Sequence, residues 1–451
     1  MTADKRIVII GAGPAGLGAA HRLRERGHEN FIVYERRAKA GGLSSSFTDG
    51  EGFTWDLGGH VVFSQFEYFD RFFRRFAPDA LKHDRESWIR ILGGWVPYPF
   101  QNNIRHLPRE AMLECLLGLV DVYAVRANSG ATSGPPAHFG EWMERTFGAG
   151  ICKYFMRPDN FKRWAVPAER MGVDWIAERV SVPDLRRIVE NVIVERDDVS
   201  WGPNNRFRFP LRGGTGSIFE NCAAPLRDKI RYGENVARIS AVDRRVFLEG
   251  GASDTYDTLI STAPLDLFYE SIADAPDALK RRAGRLEHNS LHVVGVGLRK
   301  KQASTMCWMY FPEDTSPFYR VTNFSNYSPN NVPGGDTETY SSLMCEVSDS
   351  LFKPVDPASV LERTIQGLLA TGMMREADRD RIVSVWTAYE PYSYPIPTPG
   401  RDAILGDVLP WLESRSILSR GRFGQWRYEL GNMDHSTMAG VEAADKALGE
   451  N

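Results

Sequence analysis

Three glycines and one acid near the start of the chain set the first chemistry. Gly11-Ala12-Gly13-Pro14-Ala15-Gly16 has the spacing GxGxxG, and Glu35 follows it, about twenty residues on. Gly11 permits a tight turn, Gly13 lets backbone approach a pyrophosphate, and Gly16 lets a helix pack closely on a strand. The free N–H groups of that helix start face negative phosphates. Glu35 accepts hydrogen bonds from ribose hydroxyls. The pattern reads as dinucleotide binding. A second pair, Gly41-Gly42, soon after the acid favours FAD over a simple nicotinamide cofactor, and no second GxGxxG follows to hold another dinucleotide. A third pair, Gly58-Gly59, precedes His60. It suits backbone lying against a flat ligand, and an ordinary tight turn is the plainer alternative.

These residues need a frame to hold them. Residues 6–10 (RIVII) and 31–34 read as strands, with Leu17, Ala20 and Leu23 at helical spacing between them. Residues 88–92 and 95–97 read as strands joined at Gly93-Gly94. Residues 108–126 read as a helix with Pro108 in its first turn and Met112, Leu116, Val120, Tyr123 and Ala124 along one stripe. Residues 128–136 (NSGATSGPP) are a loop, and Phe139, Trp142, Met143 and Phe147 are core candidates. Residues 157–167 (RPDNFKRWAVP) are dense in aromatic, amide and cationic groups, and residues 168–187 read as a helical cover for them. Residues 200–205 are a loop, 206–211 a strand, and 212–217 the opening of a helix. Residues 236–248 and 256–261 read as strands returning to the first sheet. Residues 291–298, 306–311, 318–324, 342–347 and 382–389 read as strands of an antiparallel sheet in a second lobe. Residues 391–400 form a proline-rich connector before a last strand at 417–423 and a last helix at 434–448.

Composition bounds the class. A chain of 451 residues with 42% hydrophobic and 25% charged residues is expected to form two or three lobes. A net charge of −3 gives no basic field for nucleic acid or an anionic membrane. The longest apolar stretch, residues 116–125, is interrupted by Asp121 and too short to span a bilayer. The first strand begins within six residues, with no signal-like apolar region. Five scattered cysteines without CxxC read as reduced thiols of a cytoplasmic protein. No HExxH or paired His/Cys spacing suggests a metal.

Nine motifs then carry a resemblance: GAGPAGLGAA, GGHVVFS, WVPYPFQNN, MRPDNFKRWAVP, WGPNNRFRFP, GGTGSI, YFPEDTSPFYR, FSNYSP and GRFGQWRYELGNMDHS. They run from residue 11 to residue 436, and the chain resembles the UDP-galactopyranose mutase family in its eukaryotic-type form. GAGPAG is common to many flavoproteins, whereas WVPYPFQNN, FKRWAVP and WRYELGN are specific. The resemblance implies an isomerase without net redox change that interconverts UDP-galactopyranose and UDP-galactofuranose. Reduced FAD acts there through N5 as the nucleophile at the anomeric carbon. NADPH or NADH is implied as the reductant. The implied fold is α/β, a Rossmann-like FAD-binding domain (residues 1–98, 206–275 and 415–451) with a helical substrate domain (104–200) and an antiparallel β-sheet domain (85–103 and 285–412).

Residue by residue, the resemblance assigns the cofactor to Gly11, Gly13, Gly16, Glu35, Gly42, Gly59, His60 and Asn432. It assigns uridine to Phe63, Tyr98, Phe100, Gln101, Asn160 and Trp164, an aromatic face with amides to read a ring edge. It assigns diphosphate to Tyr310, Arg320, Tyr327, Arg422 and Tyr428, in which two guanidinium forks can grip phosphate oxygens. Arg179 and Asn204 match residues of two mobile flaps, Arg85 and Ser87 match positions beside flavin and sugar, and Asn432 also lies near the sugar. His60, Arg320, Arg422, Arg179 and Asn204 are the implied catalytic set. Singly, Trp164 or Phe63 reads as core and Arg320 or Arg422 as a surface ion-pair partner. Only their joint motif context points to a site.

Some features depart from the family pattern. Residues 330–340 are short and the chain ends early, so oligomeric state does not carry over. Glu86, between Arg85 and Ser87, would place an extra carboxylate near the sugar and alter sugar preference. The alternatives are the same chemistry on another UDP-sugar such as UDP-arabinopyranose, an amine-oxidase- or protoporphyrinogen-oxidase-like flavin oxidase, and a non-catalytic UDP-sugar-binding flavoprotein. The expected partners are a UDP-sugar and a nicotinamide reductant, with no nucleic acid and no membrane.

Overall fold

Strand β1, Ile7–Ile10, is an unbroken apolar run. Such a run fits a strand covered on both faces. In the computed structural model, which describes residues 4–128, 134–176, 180–199 and 205–449, β1 is the middle of a five-stranded parallel sheet. The order is Ile417–Ser419, Thr258–Ser261, β1, then β2 (Phe31–Glu35), then Ile230–Tyr232. Helix α1, Pro14–Glu25, crosses from β1 to β2. Pro14 occupies its first turn, where a missing N–H costs nothing. The last helix, Met433–Leu448, packs along α1.

Residues 236–248 do not join this sheet as one strand. Asp243 and the left-handed Arg244 (φ 51°) turn the chain, so Val236–Ser240 and Arg245–Leu248 form a hairpin. With Ser253–Thr255 they make a separate three-stranded sheet. Only Thr258–Ser261 returns to β1.

The second lobe is a seven-stranded sheet in the order Ile382–Pro395, His288–Leu298, Ser341–Asp349, Arg320–Asn323, Trp308–Tyr310, Ser87–Ile91 and Gly94–Pro97. It is antiparallel except where Trp308–Tyr310 runs parallel to Ser87–Ile91. The strand from Ile382 continues through Pro391 to Pro395, into what reads as connector. Its edge position explains this, because prolines need not donate on an open edge.

The helical layer comprises Arg109–Asn128 and Phe139–Ile151, the latter running through a π turn at Cys152–Met156 into Arg157–Trp164. The expected helix over 168–187 is absent from the described part of that stretch. Ala168–Arg170 is a single tight turn, and a helix begins only at Leu185, capped by Asp184, which accepts from the Arg187 N–H at 3.1 Å. Pro183 disfavours helical backbone at the residue before it, and Gly172 weakens the stretch further. The largest core cluster joins this layer to the seven-stranded sheet, from Trp55 and Ile89 through Phe147 and Trp164 to Met344. No helix among the described residues is long and apolar enough to cross a membrane.

Candidate active site

The C-terminal ends of β1 and β2 open into a cavity of ≈ 520 Å³ whose lining includes Gly11, Gly13, Glu35, Gly42, His60 and Arg422. Gly11 has φ +96°, and a Cβ there would stand 2.1 Å from the Thr262 hydroxyl oxygen. A Cβ on Gly16 would stand 1.8 Å from the Gly11 carbonyl oxygen, so Gly16 supports the turn from beneath rather than lining the cavity. The start of α1 at Gly13 has no side-chain cap, which leaves its N–H groups to a ligand. Glu35 accepts from the Ala12 N–H at 2.6 Å and the Arg37 N–H at 2.7 Å, one on each oxygen. Each oxygen keeps a lone pair for a ribose hydroxyl. The glycine cradle, the uncapped helix start and the oriented acid fit FAD.

Asp56 holds this cradle to the next loop. It is fully buried and accepts from the Thr215 hydroxyl at 2.8 Å and from Ser46. The Thr215 hydroxyl also reaches the Ser44 carbonyl at 3.3 Å. Burial pushes the Asp56 carboxyl up to about 7, against the pull of the Ser46 and Thr215 hydrogen bonds.

His60 sits at the cavity wall, with Nδ1 buried and without a hydrogen-bond partner among the described residues. Burial lowers the imidazole to about 3. Arg422 and Arg320 push the same way, and Glu346 opposes them. The ring is therefore neutral at physiological pH. Gly58 and Gly59 press onto the same ion pair. A Cβ on Gly58 would stand 3.2 Å from Glu346 Oε1, and one on Gly59 3.0 Å from Arg320 Nη2. Arg320 donates from Nη2 to Glu346 Oε1 at 2.8 Å and from Nε to Oε2, and the Tyr319 hydroxyl donates to Oε1 at 2.9 Å. Arg422 donates from Nε to the Gly431 carbonyl at 2.9 Å and from Nη1 to the Ser393 carbonyl at 3.1 Å. Asn432 does not line the cavity. It is the cap residue of the last helix, between Gly431 and Met433, which do line it.

A cluster of tyrosines adjoins Arg320, which pairs with Tyr310 across adjacent strands. The Tyr98 and Tyr310 rings are 5.4 Å apart, and the Trp308 indole donates to the Tyr310 hydroxyl at 3.0 Å. Arg85 donates to Ser87 Oγ at 3.1 Å, and its guanidinium carbon is 4.8 Å from the Tyr98 ring centre. The Tyr327 hydroxyl is buried without a partner among the described residues, and its ring packs on Phe207, which meets Phe63 at 6.3 Å. Trp164 is buried against Tyr428 (4.6 Å) and Trp175 (5.1 Å). Phe100 is fully buried and stacks on Phe155 at 4.7 Å. The Gln101 amide donates to the Ser181 carbonyl at 2.8 Å, and the Asn160 amide donates to the Met156 carbonyl at 2.7 Å. Arg179 and Asn204 lie outside the described residues.

Glu86 does not join this cluster. Its carboxylate accepts from the Trp88 indole at 3.4 Å, on the side opposite Arg85 and Ser87. Strand alternation turns it away. The site also contains residues that the motif reading did not single out. Glu346 is a lone carboxylate in the otherwise uncharged centre of SSLMCEVSD, a placement that demands a buried partner. Asp159 and Arg163 stand four apart on one helix, a spacing that could have revealed the pair.

The family model for flavin containing amine oxidoreductases matches residues 14–448. A crystal structure of reduced UDP-galactopyranose mutase superposes with a TM-score of 0.94 at 46% identity, covering 99% of this chain and 96% of that one. Cyclohexylamine oxidase from Brevibacterium oxydans IH-35A shares the fold, with a TM-score of 0.67 at 15% identity over 99% of both chains. Among curated sequences, the zeta-carotene-forming phytoene desaturase of Myxococcus xanthus is 41% identical over 73 residues, which is 16% of this chain and 14% of that relative.

Proposed function

The chain belongs to the flavin containing amine oxidoreductases and, within them, to the UDP-galactopyranose mutase family, and on that footing we propose that it is a flavin-dependent UDP-sugar mutase. It interconverts the pyranose and furanose forms, with UDP-galactose as the default sugar. The observation that supports this reading is that two arginines, Arg320 and Arg422, both bear electrostatically on a buried, neutral His60, and that His60 and Arg422 line the cavity.

Reduced FAD, when bound, supplies the nucleophile at the anomeric carbon. The chain's own residues do the rest. Gly11, Gly13 and Gly42 receive the cofactor's pyrophosphate and Glu35 its ribose. Arg320 and Arg422 neutralise the diphosphate as it separates from the sugar. Glu346 fixes the Arg320 fork in one plane, so its remaining donor directions are set before substrate arrives. His60 stays neutral and so offers a hydrogen bond without adding a third positive charge. Tyr310, Tyr327 and Tyr428 supply phenol donors, and Tyr98, Trp164 and Phe63 supply aromatic faces for the nucleotide. Arg179 and Asn204 are assigned to the substrate by the family resemblance alone. NADPH or NADH reduces the flavin. All five cysteines are free and buried, which supports a reducing cytoplasmic setting.

The test is a furanose-product assay on a panel of UDP-sugars, with enzyme reduced by dithionite, NADPH or NADH and with oxidised enzyme. Turnover confined to reduced enzyme is expected. Equal activity in both states would sink the proposal, and substrate-dependent oxygen uptake would point to an oxidase instead. The arginine pair disfavours that second reading, because an amine site has no diphosphate to neutralise.

A further inference from the structure

The helix Arg157–Trp164 carries Asn160 and Trp164, and between them it carries a charge. Arg163 stands three residues after Asn160, on the same side of the helix. Its Nη2 donates to Asp159 Oδ2 at 2.6 Å, with side-chain exposures of 23% for Arg163 and 4% for Asp159. The guanidinium carbon lies 4.8 Å from the centre of the Tyr310 ring and 5.8 Å from that of Tyr319.

The Tyr310 oxygen already accepts from the Trp308 indole. A phenol oxygen engaged as acceptor leaves its own proton to be given elsewhere. A cation held over the ring strengthens that donor. We infer that Arg163 is a positioning residue acting through Tyr310: clamped by Asp159, it holds the phenol so that its O–H is presented to a phosphate oxygen of the substrate's diphosphate. This rests on the UDP-sugar reading above.

The neighbouring phenols are treated differently. Burial raises Tyr310, but Arg163, Arg320 and Arg85 outweigh it and bring the hydroxyl below its ordinary value, with Asp159 opposing them. Tyr98, beside it, stays well above its ordinary value because burial dominates, reinforced by Tyr310 and only partly offset by Arg85 and Arg163. One phenol of the pair is thereby made the stronger donor.

A double-mutant cycle in the reduced FAD holoenzyme tests this, with UDP as the titrated probe. Arg163→Ala should weaken UDP binding roughly ten- to a hundredfold, the scale of one charge-assisted contact. In a Tyr310→Phe background the same change should cost less than about twofold. KM should rise more than kcat falls, and Arg163→Lys should recover part of the loss. Equal losses in both backgrounds, or no loss in either, would overturn the inference. If Arg163→Ala does not fold with full flavin content, Arg163→Gln carries the same cycle. A wild-type enzyme that binds no UDP would instead overturn the substrate reading itself.

Discussion

Gly59 lies directly against Arg320: a Cβ on the glycine would stand 3.0 Å from Nη2. The tip of an arginine normally yields to such a contact at little cost. This one is gripped by Glu346 through two donors, so the intruding methyl must move either the ion pair or the loop that carries His60. Gly59→Ala should therefore cost about 1–3 kcal/mol of local fit and lower kcat/KM while flavin content stays near wild type. Steady-state kinetics beside the flavin absorbance ratio would check this.

Arg320→Ala and Arg422→Ala should each remove about 2–4 kcal/mol of diphosphate stabilisation. The two should differ in stability. Arg320→Ala strands the buried Glu346 carboxylate, at a cost of about 3–5 kcal/mol, whereas Arg422 donates to two backbone carbonyls. Combining Arg320→Ala with Glu346→Gln should recover much of the lost stability but not the activity. Urea melts and UDP titrations separate the two effects.

Trp164→Ala should weaken UDP binding. Because the ring is buried against Tyr428 and Trp175, it should also cost about 3–5 kcal/mol of stability. Trp164→Phe should keep most of that stability and lose less affinity. The comparison of Kd with melting temperature decides between a binding face and plain core.

Two buried groups tilt the pH dependence of stability in opposite senses. The imidazole of His60 is held down to about 3, so its contribution is complete above about pH 6.5 and is lost as pH falls toward 3. The carboxyl of Asp56 is raised to about 7, so its contribution is complete below about pH 4 and is lost as pH rises through 7. In flavin-free protein, His60→Asn should flatten the acid side of the stability profile and Asp56→Asn the side approaching neutrality. Denaturant titrations at pH 5, 6 and 7.5 would show it.

Much of the frame was legible because its signals are local. The glycine turn, α1 and Glu35 are fixed by spacing within one short unit, and the strands of the second lobe announce themselves by apolar runs. The failures have equally local causes. Residues 168–187 look helical by composition, but Pro183 and the Asp184 cap postpone the helix to Leu185. Residues 236–248 look like one strand until Asp243 and Arg244 turn. The second half of the site was harder to see because its meaning is a pairing. Glu346 says little until Arg320 is found opposite it on the adjacent strand. Arg163 says little until its helix is laid against Tyr310.

The cofactor cavity is walled by Gly11 and Gly13 from one end of the chain and by Arg422, Gly431 and Met433 from the other. The central parallel sheet is likewise completed only by Ile417–Ser419. On a ribosome adding roughly 5–20 residues per second, the glycine turn emerges on the order of tens of seconds before the wall that closes it. FAD capture is thus a late event in biosynthesis. A nascent chain stalled before residue 415 should hold no flavin, however complete its first strand, turn and helix.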